Sequence, residues 1–278
     1  APVAPLGRWR WPAVAACAAL LGVALVLPLG VVAYWLVRGV AAGEPVGLTA
    51  TLAANSLTAS ALGAVTAVVA AWPVATLAAR HPGRLSSLVE RASFTGYALP
   101  GVVVALSLVF FGARIATPIY QTRTLLVFAY VVLFLPQAVG AIRSSLLQVN
   151  PSLEEASRLL GRSRPSTTRA VILPLVRPGV LAGLALVFLT CMKELPATLL
   201  LAPTGFDTLA TRVWSATSEA FFGRAAAPAL ALVLLSALPM ALLVIREADR
   251  EPSPRHGPPP EPAATDETRA PPVLTPVA

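Results

Sequence analysis

The chain has 278 residues, of which 56% are hydrophobic and 12% charged, and its formal net charge is +8. Soluble domains carry about 25% charged residues, so this composition, with a mean hydropathy of +0.74, excludes an ordinary water-soluble domain. The two cysteines, Cys17 and Cys191, both lie in apolar runs, which excludes a disulfide scaffold and a four-ligand cysteine zinc site. The composition indicates an integral membrane protein.

Six apolar segments are long enough to cross the hydrocarbon core of a bilayer, which takes about 20 helical residues. Each segment also contains an interior proline, which removes one backbone hydrogen bond and kinks a helix. The freed carbonyl must find a partner in neighbouring protein or in a wet cavity. The sequence therefore predicts an all-α bundle of kinked transmembrane helices, as in a transporter, rather than a passive scaffold. The predicted spans are residues 13–36, 50–78, 93–113, 124–146, 179–201 and 226–245, and their prolines are Pro28, Pro73, Pro100, Pro136, Pro196 and Pro239.

The arginines determine the predicted orientation. With a cytoplasmic N-terminus, 15 arginines lie on the inside and five on the outside, which satisfies the positive-inside rule. We therefore expect residues 1–10 and the C-terminus in the cytoplasm, and a transmembrane domain over residues 11–246. Arg8 and Arg10 before the first apolar run would also suit a secretory signal. That run is longer than the 7–15 residues of a signal core, so we interpret it as the first helix.

The composition changes abruptly after residue 246. Nine of the last 32 residues are proline, and three arginines stand against six acidic residues. Such a segment buries too little apolar surface to offset the entropy lost on ordering, so residues 247–278 are predicted to be a disordered cytoplasmic tail. The chain begins with Ala1 rather than methionine, and we expect it either to be trimmed or to belong to a longer polypeptide.

The second span carries a polar side chain and a stripe of small residues. Ala59, Gly63 and Ala67 are spaced four apart, which lets neighbouring helices approach closely, while amides and hydroxyls form bonds across them. Packing is the main expectation for this span. Asn55 is in addition a candidate for lining a translocation pathway.

The longest predicted cytoplasmic segment, residues 150–176, contains signals for two short helices. Ser152 and Glu155 form an S-x-x-E capping box at a helix start, and Gly161 is placed to end that helix. Pro165 suits the first position of a second helix. The first helix carries an apolar stripe of Leu153, Ala156, Leu159 and Leu160. An apolar stripe on an exposed helix predicts docking, either of a partner or back onto the bundle.

This segment resembles the EAA loop of binding-protein-dependent ABC importer permeases, whose pattern is EAA-x3-G-x9-I-x-LP. The matching residues here are Glu155, Ala156, Ser157, Gly161, Val171, Leu173 and Pro174. Ser157 replaces the second alanine and Val171 replaces isoleucine, and both changes are small. The resemblance implies the six-helix fold of type I (MetI-like) ABC importer permeases. It also implies that the loop is the coupling helix that fits a cleft in a cytoplasmic ABC ATPase dimer, which binds ATP and magnesium, so that this chain itself binds no cofactor.

A narrower resemblance concerns the cargo. The run from Lys193 to Leu201, followed by residues 205–210 and by Val213 and Trp214, is similar to ferric-iron importer permeases, with thiamine permeases as relatives. It implies a subunit of a bacterial inner-membrane importer that receives ferric iron, or alternatively thiamine or another small solute, from a periplasmic binding protein. The chain looks like the second six-span half of such a permease. Its other half is expected to be fused, separate or a second copy.

The fifth span contains the only ionisable pair inside an apolar run, Lys193 and Glu194. Lys193 lies about 22 Å along the helix from Pro178, in the outer third of the membrane. Pro196 cannot donate to the carbonyl of Met192, so the helix is predicted to be interrupted beside the charges. Transporters commonly place substrate or ion contacts at such breaks. Lys193, Glu194 and Pro196 are therefore candidates for an outer gate, although snorkelling or a structural ion pair would also explain the charges.

The segment between the last two spans, residues 207–222, is predicted to form a short helix capped by Asp207. It would lie at the outer surface, where it either receives the binding protein or simply covers the bundle.

Several classes of function are excluded by missing motifs. No G-x-x-x-x-G-K-[ST] phosphate loop occurs, so the chain is not itself an ATPase of that kind. The basic charge lies between membrane spans, which argues against nucleic acid and for contact with membrane lipid. The oxygen ligands expected outside, on Glu194, Asp207, Glu219 and Tyr120, are scattered and predict no metal site, so ferric iron rests on the resemblance alone.

Overall fold

The computed structural model of the chain describes residues 7–248, which form helices and no β-strand. The α-helices are α1 (Arg10–Ala41), α2 (Ala50–Arg80), α3 (Arg84–Ala98), α4 (Gly101–Arg114), α5 (Arg123–Gln148), α6 (Pro151–Leu159), α7 (Arg164–Thr167), α8 (Leu173–Met192), α9 (Pro196–Leu201), α10 (Leu209–Ser218) and α11 (Phe222–Ala248). Short 3-10 turns, Gly7–Trp9 and Thr117–Ile119, precede α1 and α5. A π-helical turn, Thr168–Ile172, joins α7 to α8. The predicted all-α fold class is confirmed.

Within the described range, five helices are long and apolar enough to cross a membrane. They are α1, α2, α5, the continuous helix Arg164–Met192 and the first part of α11. The pair α3 and α4 supplies a sixth if the two are counted as one broken span. The predicted tail, residues 247–278, lies outside the described residues apart from the last two positions of α11, and so do residues 1–6.

The third predicted span, residues 93–113 with a kink at Pro100, is broken into two helices rather than kinked. The chain bends by 102° between α3 and α4. The break falls at Leu99 and Pro100, where Leu99 is extended with φ −89° and ψ 134°. A residue that precedes proline is disfavoured in the helical region, and Pro100 has no N–H to continue the ladder. The helix before the bend also starts earlier than predicted, at Arg84.

Three helices, α2, α5 and α8, pack together as the centre of the bundle. The side of α2 that faces α5 and α8 is made of small residues, and Ala59, Gly63 and Ala67 are all buried there. A Cβ atom added at Gly63 would lie 2.8 Å from Cδ2 of Tyr130. The expected packing role of the stripe is therefore present, and the small residues let α2 approach its neighbours closely.

Helix α1 packs mainly against α11, at one end. The helices approach most closely at two glycines, where a Cβ atom on Gly39 would lie 2.9 Å from Cα of Gly223. Gly39 is the one buried residue of α1. The rest of α1 presents leucine and valine side chains outward, a surface suited to lipid or to another apolar chain.

Candidate functional site

Helix α6 begins two residues earlier than predicted. Asn150 is its cap, since its Oδ1 accepts the N–H of Ser152 at 3.0 Å, and Pro151 occupies the first helical position. The predicted capping box at Ser152 is therefore wrong. The adjacent Asn150 and Pro151 give a stronger signal for a helix start than Ser152 and Glu155 do. The predicted end is confirmed. Gly161 has φ +83°, and the N–H groups of Gly161 and Arg162 bond back to Arg158 and Ser157, a Schellman motif.

The residues of the EAA-like motif separate into an exposed and a buried set. Glu155 and Ala156 are exposed, and the tip of the helix carries Leu159 and Leu160 with 88% and 84% of their surface accessible. Ser157 is buried and its Oγ lies 3.1 Å from Oγ1 of Thr167. The serine that departs from the family pattern therefore ties α6 to α7 by a hydroxyl pair that alanine could not form.

The second helix of this segment continues into the fifth span. It begins at Arg164, one residue before the predicted start at Pro165, and runs on past Leu173 and Pro174 into α8. Pro174 has no N–H to donate, and just before it the helix passes through the π-helical turn, in which the N–H of Leu173 bonds to the carbonyl of Thr168. Both Leu173 and Pro174 are exposed. A displacement of α7 therefore reaches α8 along one unbroken helix.

An ion pair that the sequence did not reveal holds α6 against the bundle. Nε of Arg80, the last residue of α2, lies 2.7 Å from Oε1 of Glu154. Nη2 of the same arginine donates to the carbonyl of Val149, at the end of α5, at 3.0 Å. The two side chains are only 11% and 19% exposed. Arg80 thus joins the ends of α2 and α5 to α6.

The fifth span breaks beside its ionisable pair. Helix α8 ends at Met192, and α9 restarts at Pro196. Oε1 of Glu194, two residues before α9, accepts the N–H of Ala197 in the first turn of the new helix at 3.2 Å. Lys193 is exposed, whereas Glu194 is half-buried. The break gives the carboxylate a fixed place inside the bundle.

The breaks of the third and fifth spans meet at Glu194. Its Oε1 would lie 3.4 Å from a Cβ atom at Gly101, the first residue of α4, and α4 packs on α9. The carbonyl of Glu194 accepts the hydroxyl of Thr198 at 2.7 Å. Oγ1 of Thr198 lies 2.6 Å from the hydroxyl of Tyr130 on α5. A short polar chain therefore runs from the double break into the buried centre of the bundle.

Asn55 holds the loop before α10 and does not meet Glu194 through any hydrogen bond of the described residues. Its Nδ2 donates to the carbonyl of Asp207 at 2.9 Å, and Oγ of the adjacent Ser56 accepts the N–H of Leu209 at 2.8 Å.

The predicted cap of α10 at Asp207 is wrong. Thr208 caps α10, since its hydroxyl accepts the N–H of Thr211 in a reciprocal capping box, while Asp207 is exposed.

The part of the chain that the structure describes brings together no group of three or more His, Cys, Asp or Glu side chains able to hold a metal ion. Glu194, Asp207 and Glu219 accordingly form no such cluster.

Comparison with known proteins identifies the family. The family of binding-protein-dependent transport system inner membrane components matches residues 63–250. This chain belongs to that family. It is similar to the Fe(3+)-transport system permease protein FbpB 2 of Haemophilus influenzae, with 39% identity over 78% of this chain and 43% of that protein. It is also similar to a probable molybdenum ABC transporter permease protein of Haloferax volcanii, with 34% identity over 49% of this chain and 50% of that protein. The chain thus spans about half the length of these relatives, or less.

Solved structures support the fold of a type I importer permease. The inward-facing methionine transporter MetNI matches 78% of this chain and 94% of its own chain, with a TM-score of 0.53 and 18% identity. A bacterial alginate ABC transporter, in complex with its alginate pentasaccharide-bound periplasmic protein, matches 72% of this chain and 79% of its own chain. The TM-score is 0.58 and the identity is 16%. At these identities the likeness concerns the fold alone. The predicted family and the predicted MetI-like fold are both confirmed.

Three residues of these contacts were not predicted from the sequence: Arg80, which holds α6, and Tyr130 and Thr198, which lie beside the break at Glu194. Tyr130 and Thr198 are polar groups inside apolar spans, and that is the signal that could have singled them out. Arg80 ends an apolar span as many arginines of this chain do, so nothing in its local sequence marks it as the partner of Glu154.

Proposed function

We propose that this chain is the transmembrane permease subunit of an ATP-driven, binding-protein-dependent importer, and that its cargo is ferric iron. The observation that carries the proposal is the exposed tip of α6, with Glu155, Ala156, Leu159 and Leu160 turned away from the bundle. The cargo is supported by the Fe(3+)-transport permease that is 39% identical. Permeases for thiamine or another small solute are the alternative.

Helix α6 is proposed to couple the permease to a separate ABC ATPase, which binds ATP and magnesium. Two adjacent exposed leucines, at the last residue of α6 and the residue after it, suit a hydrophobic cleft, and burying each would contribute about 1.5–3 kcal/mol to docking. Glu155 and Arg158, both exposed at the side of this tip, supply the charges that orient the contact. Since α7 continues into α8, movement of the ATPase passes directly to the fifth span.

The orientation follows from this assignment. The end of the bundle that carries α6 would face the cytoplasm of the bacterial inner membrane, with both termini, and the end that carries α10 would face the periplasmic binding protein. In this orientation 15 arginines lie on the cytoplasmic side and five on the outside, as the positive-inside rule requires. A second permease half, whether fused, separate or a second copy, and lipid would cover the exposed apolar face of α1.

The double break at Glu194 is proposed as the gate. Its carboxylate accepts a hydrogen bond from α9 and lies against the start of α4, so it holds two half-spans that could separate. Half-spans can move as rigid pieces about such breaks. Lys193 and Pro196 belong to the same break, whereas Asn55 keeps the α10 loop in place. A carboxylate is also the ligand type that a hard cation prefers.

Copurification tests the coupling claim. We expect an ABC ATPase to copurify with the tagged chain from membranes, and to be lost in Glu155→Lys, which reverses a charge at the tip, and in Gly161→Pro, which disturbs the helix end. Glu219→Lys makes the same charge reversal at the other end of the bundle and should retain the ATPase. Equal ATPase recovery from all four chains would refute the coupling role of α6.

A further inference from the structure

We propose that Arg80 is a positioning residue for α6: its guanidinium fastens the proposed coupling helix to α2 and α5, so that force applied at α6 is transmitted to the centre of the bundle. The inference rests on the proposed function, since it assumes that an ATPase pushes on α6. The side chain of Arg80 is only 11% exposed, so it offers little surface to an ATPase. It acts through Glu154 and the carbonyl of Val149.

The first argument is the way α6 is attached. Apart from this pair, α6 packs mainly against α7 and the π-helical turn, which follow it directly in the chain. Its bond from Ser157 to Thr167 is also made to that neighbouring segment. Arg80 therefore provides a link from α6 to a different part of the bundle. Without it, α6 could pivot on α7 while α2 stayed in place.

The second argument is the quality of the contact. The arginine uses two of its nitrogens, one on the carboxylate at 2.7 Å and one on a backbone carbonyl at 3.0 Å. Side chains that are 11% and 19% exposed are largely shielded from water and salt, unlike surface pairs of small net value. Only the Nη2 contact has the geometry of a hydrogen bond, whereas Nε and Oε1 of Glu154 meet as a close ion pair without that alignment. The two nitrogens of one guanidinium serve both partners at once, which the single ammonium group of lysine reproduces less well.

The third argument is where α2 leads. Its other end carries Asn55 and Ser56, which bond to the loop before α10. At 1.5 Å per residue, Arg80 and Asn55 are about 37 Å apart along the helix. Between them α2 packs against both α5 and α8. One continuous helix thus connects the proposed ATPase contact with the end where the binding protein would dock.

The chain offers a matched control pair. Nε of Arg143 on α5 lies 3.2 Å from Oε1 of Glu90 on α3, with the side chains 38% and 28% exposed. This arginine–glutamate pair also joins two helices of the bundle, but it makes no bond to α6. Its loss should lower stability in the ordinary way and leave the transmission of force unchanged.

The experiment measures Fe³⁺ uptake per ATP hydrolysed, in proteoliposomes that contain the complete complex of the chain with its ATPase and binding protein. We expect Arg80→Met and Glu154→Gln to lower this ratio by about tenfold, within the usual range of coupling between sites. Arg80→Lys should lower it less, and the double variant Arg80→Glu/Glu154→Arg should recover part of it, because the swap restores the ion pair but not the bond to the carbonyl of Val149. Arg143→Met should keep the wild-type ratio.

The outcomes separate the two proposals. A ratio in Arg80→Met equal to that in Arg143→Met, with the ATPase retained in both, would refute the positioning role alone. So would uptake and hydrolysis that fall in parallel, as a merely structural role requires. If the wild-type chain retains no ATPase, the proposed function fails and the positioning role fails with it. If Arg80→Met does not reach the membrane, uptake per ATP hydrolysed in Arg80→Lys and Glu154→Gln tests the positioning role instead.

Discussion

Replacing Gly63 by alanine should destabilise the permease, although the same change usually stabilises a helix. In the middle of α2, a Cβ atom at this position would lie 2.8 Å from Cδ2 of Tyr130 and 3.0 Å from Sγ of Cys191. Tyr130 cannot easily yield, because its hydroxyl is held at 2.6 Å from Oγ1 of Thr198 and its side chain is 1% exposed.

The expected magnitude follows from two opposing terms. Forcing an extra methyl group into a packed core costs about 1–3 kcal/mol, whereas glycine to alanine in a helix gains about 1 kcal/mol. Gly63→Ala should therefore lose about 1 kcal/mol. Gly140→Ala is the matched control, because a Cβ atom at Gly140 in α5 meets nothing within 4 Å. It should gain about 1 kcal/mol, so the two variants should differ by about 2 kcal/mol.

Thermal unfolding of the purified chain measures this difference through Cys191, whose side chain is 2% exposed. A maleimide dye reports its exposure, in a background where the accessible Cys17 is replaced by serine. For a chain of this size about 1 kcal/mol shifts Tm by about 2–4 °C, so Gly63→Ala should melt about 4–8 °C below Gly140→Ala. Equal or reversed melting temperatures would refute the packing of α2 against Tyr130.

Other expectations concern the gate and the helix caps. Glu194→Gln, at normal membrane expression, should reduce uptake, and unchanged uptake would end the gate proposal. Asn150→Ala should weaken the start of α6 by about 1 kcal/mol, seen as about fivefold faster amide exchange in α6 alone; exchange that stays at the wild-type rate would contradict the cap. Thr208→Ala should do the same in α10, whereas Asp207→Ala should not, and the opposite ranking would restore the cap predicted from sequence.

The sequence predicts the parts of this permease that depend on local signals. Gly161 ends α6 because a left-handed conformation is nearly free of cost only for glycine, and it has φ +83°. The break at Pro196 likewise follows from the missing N–H of proline beside two charges. Both features depend on one residue and its immediate neighbours, so no knowledge of the tertiary structure is needed.

Prolines show where local reasoning ends. Pro73 and Pro136 stay inside the continuous helices α2 and α5, whereas Pro100 separates α3 from α4 by a 102° bend. All three carry the same local penalty. Pro136 is itself buried, and Pro73 is exposed but lies between the buried Ala71 and Ala75. Packing at or beside the proline can keep both helices continuous through a lost bond. The outcome depends on tertiary contacts that the sequence pattern does not contain.

Contacts between distant residues could not be predicted at all. Tyr130 and Thr198 lie 68 positions apart, and the partner of Arg80 could have been either of the adjacent glutamates, Glu154 or Glu155. Nearly every position of these helices is apolar, so hydrophobic periodicity does not specify which faces meet. Small residues such as Gly63 determine the close approaches, and which helix they meet is decided only when the bundle packs.

Uptake of radiolabelled ferric iron tests the central claim most directly. Cells that lack this chain, but retain the ATPase and the binding protein, would be compared with cells complemented by the wild-type chain or by Glu155→Lys at equal membrane levels. The account predicts that the wild-type chain restores iron uptake, that Glu155→Lys does not, and that excess thiamine has no effect. Iron uptake that is the same with and without the chain would contradict the ferric assignment, and full activity of Glu155→Lys would contradict coupling through α6.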